Sequence, residues 1–301
     1  MPHQKPVLVV ETPDGHRFEL IHLPAEQPRA RLLFLPGMGV TARHYIAFAE
    51  ALSQVGIETW IHEWRGLGSS SLRADRSTDW GYRELLEQDL ASALERIQTS
   101  SGEQPLILGG HSLGSQLACL LAALRPQTCE GLLIVAGGAP YFKAFRGWMR
   151  LGLPAVFVGM PAVAALVGHY PGRQLAFAGR EARGVIRDWT QSGRTGRYRP
   201  LGVDHDLEQG MRTLKVPVFS LRMADDWFVP QSSLEWLKGK LPGANHEQQV
   251  LAREAFSGPP DHYRWMDEPD SSAQAISDWL ARQLEDDSDA VSARAAASKR
   301  A

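Results

Sequence analysis

Between Pro105 and Leu124 the chain reads PLILGGHSLGSQLACLLAAL, and no other stretch narrows the possible folds as sharply. The apolar run Leu106-Ile107-Leu108 predicts a short buried strand. The Ala/Leu-rich run from Gln116 to Leu124 predicts a helix that ends where Arg125 meets Pro126. Between them, Gly110-His111-Ser112-Leu113-Gly114 fits the pattern Gly-x-Ser-x-Gly. A serine on so tight a strand-to-helix turn is forced into a strained backbone conformation and lifted above the sheet edge. A Cβ at either flanking glycine would crowd that turn. The following helix aims its first N–H groups at the space above the hydroxyl, where an oxyanion would be stabilised. Five residues alone are a weak signal in a chain this rich in Gly and Ser; the strand before them and the helix after them give the pattern its weight. Ser112 is the candidate nucleophile.

The remaining chain supplies a frame for that turn. Lys5–Glu11 and Arg17–Leu23 are β-rich runs on either side of the turn cluster Thr12-Pro13-Asp14-Gly15-His16, and so predict a hairpin. Strands are expected at Arg31–Leu35, Ile57–His62, Gly131–Ala136, Val216–Leu221 and Glu247–Ala252. Helices are expected at Thr41–Gln54, Trp80–Gln98, Gln231–Gly239 and Ser271–Leu284. Apolar strands alternating with helices predict an α/β protein with a mostly parallel sheet covered on both faces. The rhythm breaks from 137 to 214, which reads as a helical cap inserted into a core of 1–136 and 215–284. Residues 285–301 show no apolar face and are expected to be a disordered tail.

Composition removes several classes of function. A net charge of -2 leaves no electrostatic footprint for nucleic acid. Two cysteines, Cys119 and Cys129, are too few for a disulfide framework, and Cys119 reads as a small buried apolar residue. No His/Cys/Asp/Glu cluster has metal-ligand spacing, and the Gly-rich loops lack the Lys-Ser/Thr of a phosphate cradle, so neither metal nor cofactor is expected. The N-terminal stretch has no apolar run of signal-peptide length, so a cytoplasmic location is expected. Leu151–Gly168 is uncharged and approaches the length of a membrane span, but Pro154 and Pro161 with Gly152, Gly159 and Gly168 are expected to break it into short cap helices rather than a span. Seven cap arginines, Arg173, Arg180, Arg183, Arg187, Arg194, Arg197 and Arg199, fit either a clamp for an anionic substrate group or, as the commoner outcome, a solvated basic face.

A serine hydroxyl is a poor nucleophile until a histidine takes its proton, and the histidine needs a carboxylate to fix its tautomer. In the nucleophile-turn arrangement the chain order is Ser, acid, His. After the strand Val216–Leu221 come Asp225 and Asp226, either of which fits the acid slot; Asp225 could instead cap the following turn. His262 stands between the last strand and the last helix, in the slot for the base. His246 is a rival that falls on the wrong side of that strand. His111, next to the serine, reads as structural or pocket-lining.

Together these pieces resemble the α/β-hydrolase superfamily over about residues 5–284. Leu35-Pro36-Gly37-Met38-Gly39 resembles the loop that supplies one oxyanion donor. Trp64-Arg65-Gly66-Leu67-Gly68-Ser69 resembles the Arg-Gly-x-Gly-x-Ser run after the fourth strand. Asp226-Trp227-Phe228-Val229-Pro230 resembles the acid-bearing turn, with Asp four residues before Pro. The resemblance implies a serine hydrolase: Ser112 as nucleophile, His262 as general base and then acid, Asp226 rather than Asp225 as its orienter, and the N–H groups of Met38 and Leu113 as oxyanion donors. It also implies that Gly37 and His111 line the substrate site. Relatives that open epoxides or remove halide need a carboxylate where this chain has Ser112.

The cap, with Tyr170-Pro171-Gly172 and Asp188-Trp189, is most similar to bacterial predicted hydrolases of undefined substrate. Those carry a second aromatic soon after the tryptophan, whereas this chain reads Thr190-Gln191-Ser192-Gly193-Arg194. The expected reaction is cleavage of a carboxylic ester with a small to medium acyl group, through an acyl-serine intermediate. The alternatives are an acyltransferase, thioesterase or amidase on the same three residues, and a non-catalytic binding module on the same fold. The expected partner is a small-molecule acyl substrate, with no nucleic acid and no membrane span; the sequence sets no oligomeric state.

Overall fold

The computed structural model describes residues 7–100 and 102–298. Strands β1 (Val7–Glu11), β2 (Arg17–Leu23), β3 (Ala30–Leu35), β4 (Ile57–His62), β5 (Leu106–His111) and β6 (Gly131–Val135) come first. β7 (Tyr170–Pro171) and β8 (Arg180–Glu181) form a short separate ribbon, and β9 (Pro217–Met223) and β10 (Asn245–Leu251) return to the main sheet. That sheet has eight strands in the order β1-β2-β4-β3-β5-β6-β9-β10. β1 and β2 run antiparallel at one edge, and the strands from β4 to β10 are parallel. β5 therefore lies inside the sheet, between β3 and β6.

The helices are α1 (Ile46–Gln54), α2 (Tyr82–Glu84), α3 (Leu90–Ser100), α4 (Leu113–Leu124), α5 (Gly147–Val167), α6 (Arg183–Thr195), α7 (Leu207–Thr213), α8 (Gln231–Lys238), α9 (Arg264–Asp267) and α10 (Asp270–Ser298). β3, β5 and β6 are buried at every position, as strands covered on both faces must be. Their side chains alternate with the two-residue period of a strand. Leu33, Leu35, Leu106 and Leu108 join one core with α3 and α4. Leu32, Phe34 and Ile107 join the other with α1 and α10, where Trp265 and Trp279 are fully buried.

Three elements differ from the expectation. α2 runs into α3 through a π-helical turn, Leu85–Asp89, whose Asp89 carboxylate is held by Arg65 at 2.6 Å and by His16 at 2.9 Å. The apolar segment of the insertion is not broken: α5 is one helix of 21 residues with Pro154 and Pro161 inside it. An interior proline removes one helical hydrogen bond and costs about 3 kcal/mol in isolation; here Phe157, Met160 and Ala164 anchor the helix on α6, with Phe157 edge-on to Trp189 at 5.3 Å. By length and composition α5 could cross a membrane, yet it packs on α6 and roofs the cavity described below, while Leu151 and Leu166 face outward. Finally, α10 is helical through Ser298, past the Leu284 boundary, because extending an anchored helix carries no nucleation cost. Of the expected tail, residues 299–301 lie outside the described residues.

The insertion between β6 and β9 is tied down by polar contacts. Asp188 accepts the N–H of Tyr82 at 3.0 Å, Asp79 accepts that of Gly184 at 3.1 Å, and Arg180 donates to the carbonyl of Ala74 at 2.7 Å. In the run Thr190–Arg194, which lacks the aromatic that the family resemblance leads one to expect, a Cβ at Gly193 would lie 2.6 Å from the Phe157 ring, so a ring from α5 packs against this run. The β7–β8 ribbon rests on the loop after β3. A Cβ at Gly39, whose φ is +76°, would come within 2.2 Å of the Gly179 nitrogen, which makes glycine obligatory there.

Glu181 on β8 is buried and accepts the N–H of Gly179 at 2.9 Å. Burial pushes its carboxyl from an ordinary value of 4.5 up to about 7. The folded state then holds this proton more tightly than the unfolded state, so its contribution is complete below pH 4.5 and is lost as the pH rises through about 7. Glu181→Gln, which keeps the acceptor oxygen, should reduce the fall in unfolding free energy between pH 5 and pH 8 by on the order of 2 kcal/mol. Urea denaturation at the two pH values measures it; an unchanged difference would mean that Glu181 ionises normally.

Candidate active site

β5 delivers the chain into the tight turn at Ser112. Ser112 has φ +54° and ψ −113°, a backbone conformation that L-residues rarely adopt, and caps α4 from outside the helix. Its N–H donates to the Val135 carbonyl at 3.1 Å, so β6 fixes the turn. A Cβ at Gly114 would stand 2.0 Å from the Leu35 carbonyl oxygen, and one at Gly110 would stand 2.4 Å from the Gly114 carbonyl carbon. The glycines are therefore required by the approach of α4 to β3.

His262 and Asp226 arrive from the far end of the sheet. Asp226 follows β9, and His262 lies in the loop between β10 and α9. His262 Nδ1 is 2.8 Å from Asp226 Oδ2, and both side chains are buried. The other carboxylate oxygen of Asp226 accepts the N–H of Val229 at 3.0 Å, and Trp265 Nε1 donates to the His262 carbonyl at 3.1 Å, which holds both ends of the pair. Asp225 points elsewhere: its side chain is half exposed and lies 3.8 Å from Arg253. His246 is occupied with the Leu241 carbonyl at 2.9 Å.

The loop after β3 is held through Tyr45. The Gly37 N–H donates to the Tyr45 hydroxyl at 2.8 Å, and that hydroxyl is 2.8 Å from His111 Nδ1. The hydroxyl and Nδ1 share one hydrogen bond, in which the His111 tautomer sets the donor. The His111 ring sits 4.6 Å from that of His262. Burial, and then the neighbouring His262, hold His111 well below the ordinary histidine value, so it stays neutral. The Gly37 N–H is thus committed to Tyr45, whereas the Met38 N–H has no backbone or side-chain acceptor among the described residues. The Leu113 N–H is the first of α4 and has none within its helix.

Ser112, His262, Gly37, Met38, His111 and Leu113 all border one cavity of about 230 Å³. Its remaining wall is mostly apolar and aromatic. α5 contributes Trp148, Met149, Leu153, Val156 and Phe157, α6 contributes Trp189, and Phe228 lies flat against His262 at 5.4 Å. None of the seven cap arginines reaches it; Arg183 pairs with Asp79 and Arg187 with Asp188 instead. Among the described residues no group of three His, Cys, Asp or Glu is placed to hold a metal ion.

Sequence reasoning did not single out Tyr45 or Gln116. Tyr45 meets His111 only through the fold. Gln116 was detectable as the polar residue one helical turn beyond Ser112, in a run otherwise made of apolar residues.

A family model described as serine aminopeptidase, S33, matches residues 26–253, and the chain belongs to that family of α/β-hydrolases. Monoglyceride lipase of Rattus norvegicus is 26% identical over 113 residues; the match takes in 38% of this chain and 36% of the rat protein, so the chain spans about a third of that relative's length. Among solved structures, a soluble variant of monoglyceride lipase from Saccharomyces cerevisiae, in complex with a substrate analog, superposes with a TM-score of 0.65 at 17% identity. It covers 92% of this chain and 94% of its own. Est1E of Butyrivibrio proteoclasticus with ferulic acid bound superposes at 0.62 with 13% identity, covering 92% and 99%. At such identities the likeness is one of fold, and the fold is that of α/β-hydrolases.

The His262–Asp226 hydrogen bond should give a strongly downfield Nδ1–H proton resonance. Asp226→Asn should remove or displace it, and Asp225→Asn should leave it in place. A resonance lost in the Asp225 variant instead would assign the partner wrongly.

Proposed function

We propose that this hydrolase cleaves carboxylic esters of small to medium acyl groups through an acyl-Ser112 intermediate. The observation that carries the proposal is a single one: a serine on a strained strand-to-helix turn and the histidine of a buried His–Asp pair border the same apolar cavity. In the proposed reaction Ser112 Oγ attacks the ester carbonyl while His262 Nε2 takes its proton. Asp226 fixes the Nδ1–H tautomer and stabilises the imidazolium that forms. Negative charge develops on the carbonyl oxygen and is received by the N–H groups of Met38 and Leu113. Each such donor is typically worth about 3 kcal/mol in the transition state. His262 then gives its proton to the departing alcohol, and water repeats the sequence to release the acid and free Ser112.

The wall of the cavity supports an uncharged acyl group, since no Lys, Arg, Asp or Glu borders it. Burying an ionised substrate group there without a partner would cost several kcal/mol. The likeness to monoglyceride lipases, which are named for an ester substrate, points the same way.

A small fluorophosphonate should add to the parent protein and not to Ser112→Ala, as read by intact-protein mass spectrometry. With para-nitrophenyl esters of short and medium acids, Ser112→Ala and His262→Ala should each lower kcat by several orders of magnitude, and Asp226→Asn by about 10³–10⁴-fold. Undiminished turnover in Ser112→Ala would end the proposal.

A further inference from the structure

Gln116 stands one turn beyond Ser112 on α4 and is 96% removed from solvent, yet it borders the catalytic cavity. Its Oε1 accepts a hydrogen bond from the Tyr198 hydroxyl at 3.1 Å, and Tyr198 is itself buried in the inserted segment. With Oε1 turned to Tyr198, Nε2 is the half of the carboxamide that faces away from that hydroxyl. The Nε2 group then carries two N–H donors with no acceptor among the described residues, and it does not belong to the orphaned polar atoms sealed away from any free volume. The place left for those donors is the cavity.

The surroundings make this a selective feature. Apart from the rings and Ser112, the polar side chains on the wall are Gln116 and Ser233, and the Ser233 hydroxyl is committed to the Ala139 carbonyl at 2.7 Å. Leu113, Leu153, Val156, Phe157 and Val229 complete that part of the wall. A desolvated amide donor left unmade inside such a site is unfavourable, so a ligand that supplies an acceptor gains over one that does not.

We propose that Gln116 is a specificity-determining residue that selects acyl chains carrying a hydrogen-bond acceptor oxygen, such as a keto group, partway along the chain. The inference rests on the acyl-Ser112 reading given above. Four residues along a helix amount to about 6 Å, and an extended chain advances about 1.2 Å per bond, so the acceptor belongs on the γ or δ carbon of the acyl group. No bond is made or broken by Gln116; it donates Nε2–H to the substrate oxygen while Ser112 attacks the ester carbonyl.

The test compares para-nitrophenyl δ-oxohexanoate with para-nitrophenyl δ-methylhexanoate, which have the same number of heavy atoms and differ in the acceptor. The parent enzyme should favour the keto ester about five- to tenfold in kcat/KM. Gln116→Met, of similar volume and without donors, should bring that ratio to one or below. Tyr198→Phe keeps the donors but frees the carboxamide to turn its oxygen toward the cavity, and should lower the preference for the keto ester without abolishing it. A parent enzyme that cleaves both esters equally, or a Gln116→Met variant that loses activity on both by the same factor, would overturn the inference while leaving the hydrolase reading intact. If the parent cleaves neither ester and Ser112 takes no fluorophosphonate, the hydrolase reading fails and this inference fails with it.

Discussion

The contact on which the site depends is the approach of α4 to β3 at Gly114. With the Leu35 carbonyl oxygen 2.0 Å from where a Cβ would stand, the helix can begin there only if that position has no side chain. This closeness turns the chain so sharply that Ser112 is left at φ +54°. Residues held in sparsely populated backbone regions cost on the order of 1–3 kcal/mol, and they persist where the surrounding structure over-determines them. Here the over-determination is visible. Ser112 N–H is bound to β6, the helix behind it is buried along almost its whole length, and the flanking glycines admit no alternative packing. Within the turn from β5 into α4 the strain is thus confined to Ser112 by a regular strand and helix.

The loop that faces Ser112 is held by a different device. Gly37 is fixed through the Tyr45 hydroxyl, and Tyr45 through neutral His111, whose ring in turn packs on His262. The loop after β3 and His262 are therefore joined by one chain of contacts, two of them hydrogen bonds of 2.8 Å. On its other sides the loop is supported by carboxyls. Glu63 accepts the N–H of Ala42 at 3.2 Å, and Glu181 holds Gly179 against Gly39. Burial pushes both carboxyls up to about 7. A neutral carboxyl is the cheaper occupant of a buried position, and below pH 7 the two supports add little field near Ser112.

Much of the fold was legible because its signals are local. The apolar runs at β3, β5 and β6, the hairpin turn at Thr12–His16 and the Gly-x-Ser-x-Gly turn each involve a few adjacent residues, and each is found where the pattern puts it. The distinction between Asp225 and Asp226 was different in kind. Spacing admits both, the family likeness favours Asp226, and the structure separates them by burial, since one faces His262 and the other faces solvent and Arg253. α5 was misread because proline cost was weighed without the partner that offsets it. Phe157 over Gly193 joins residues 36 apart in sequence, and no window on the sequence contains both. Tyr45 and His111, 66 residues apart, escaped for the same reason.

The cap arginines and the cavity together define what the site selects against. Ten arginines and one lysine lie in the inserted segment, and a site for an anion would be the natural use of them. Instead Arg183 pairs with Asp79 and Arg180 binds the Ala74 carbonyl, which fasten the insertion to the core, while Arg187 pairs within α6 with Asp188, the acceptor of the Tyr82 N–H. The surface they leave for the substrate is built from α5 and α6 side chains that cannot solvate a charge. A carboxylate or phosphate entering beside Ser112 would lose its water shell and find no cation, a cost of several kcal/mol that a neutral ester avoids. Exclusion of charge is in this way a consequence of how the insertion is anchored, and it leaves shape and a few neutral hydrogen-bonding groups as the means of discrimination open to the cavity.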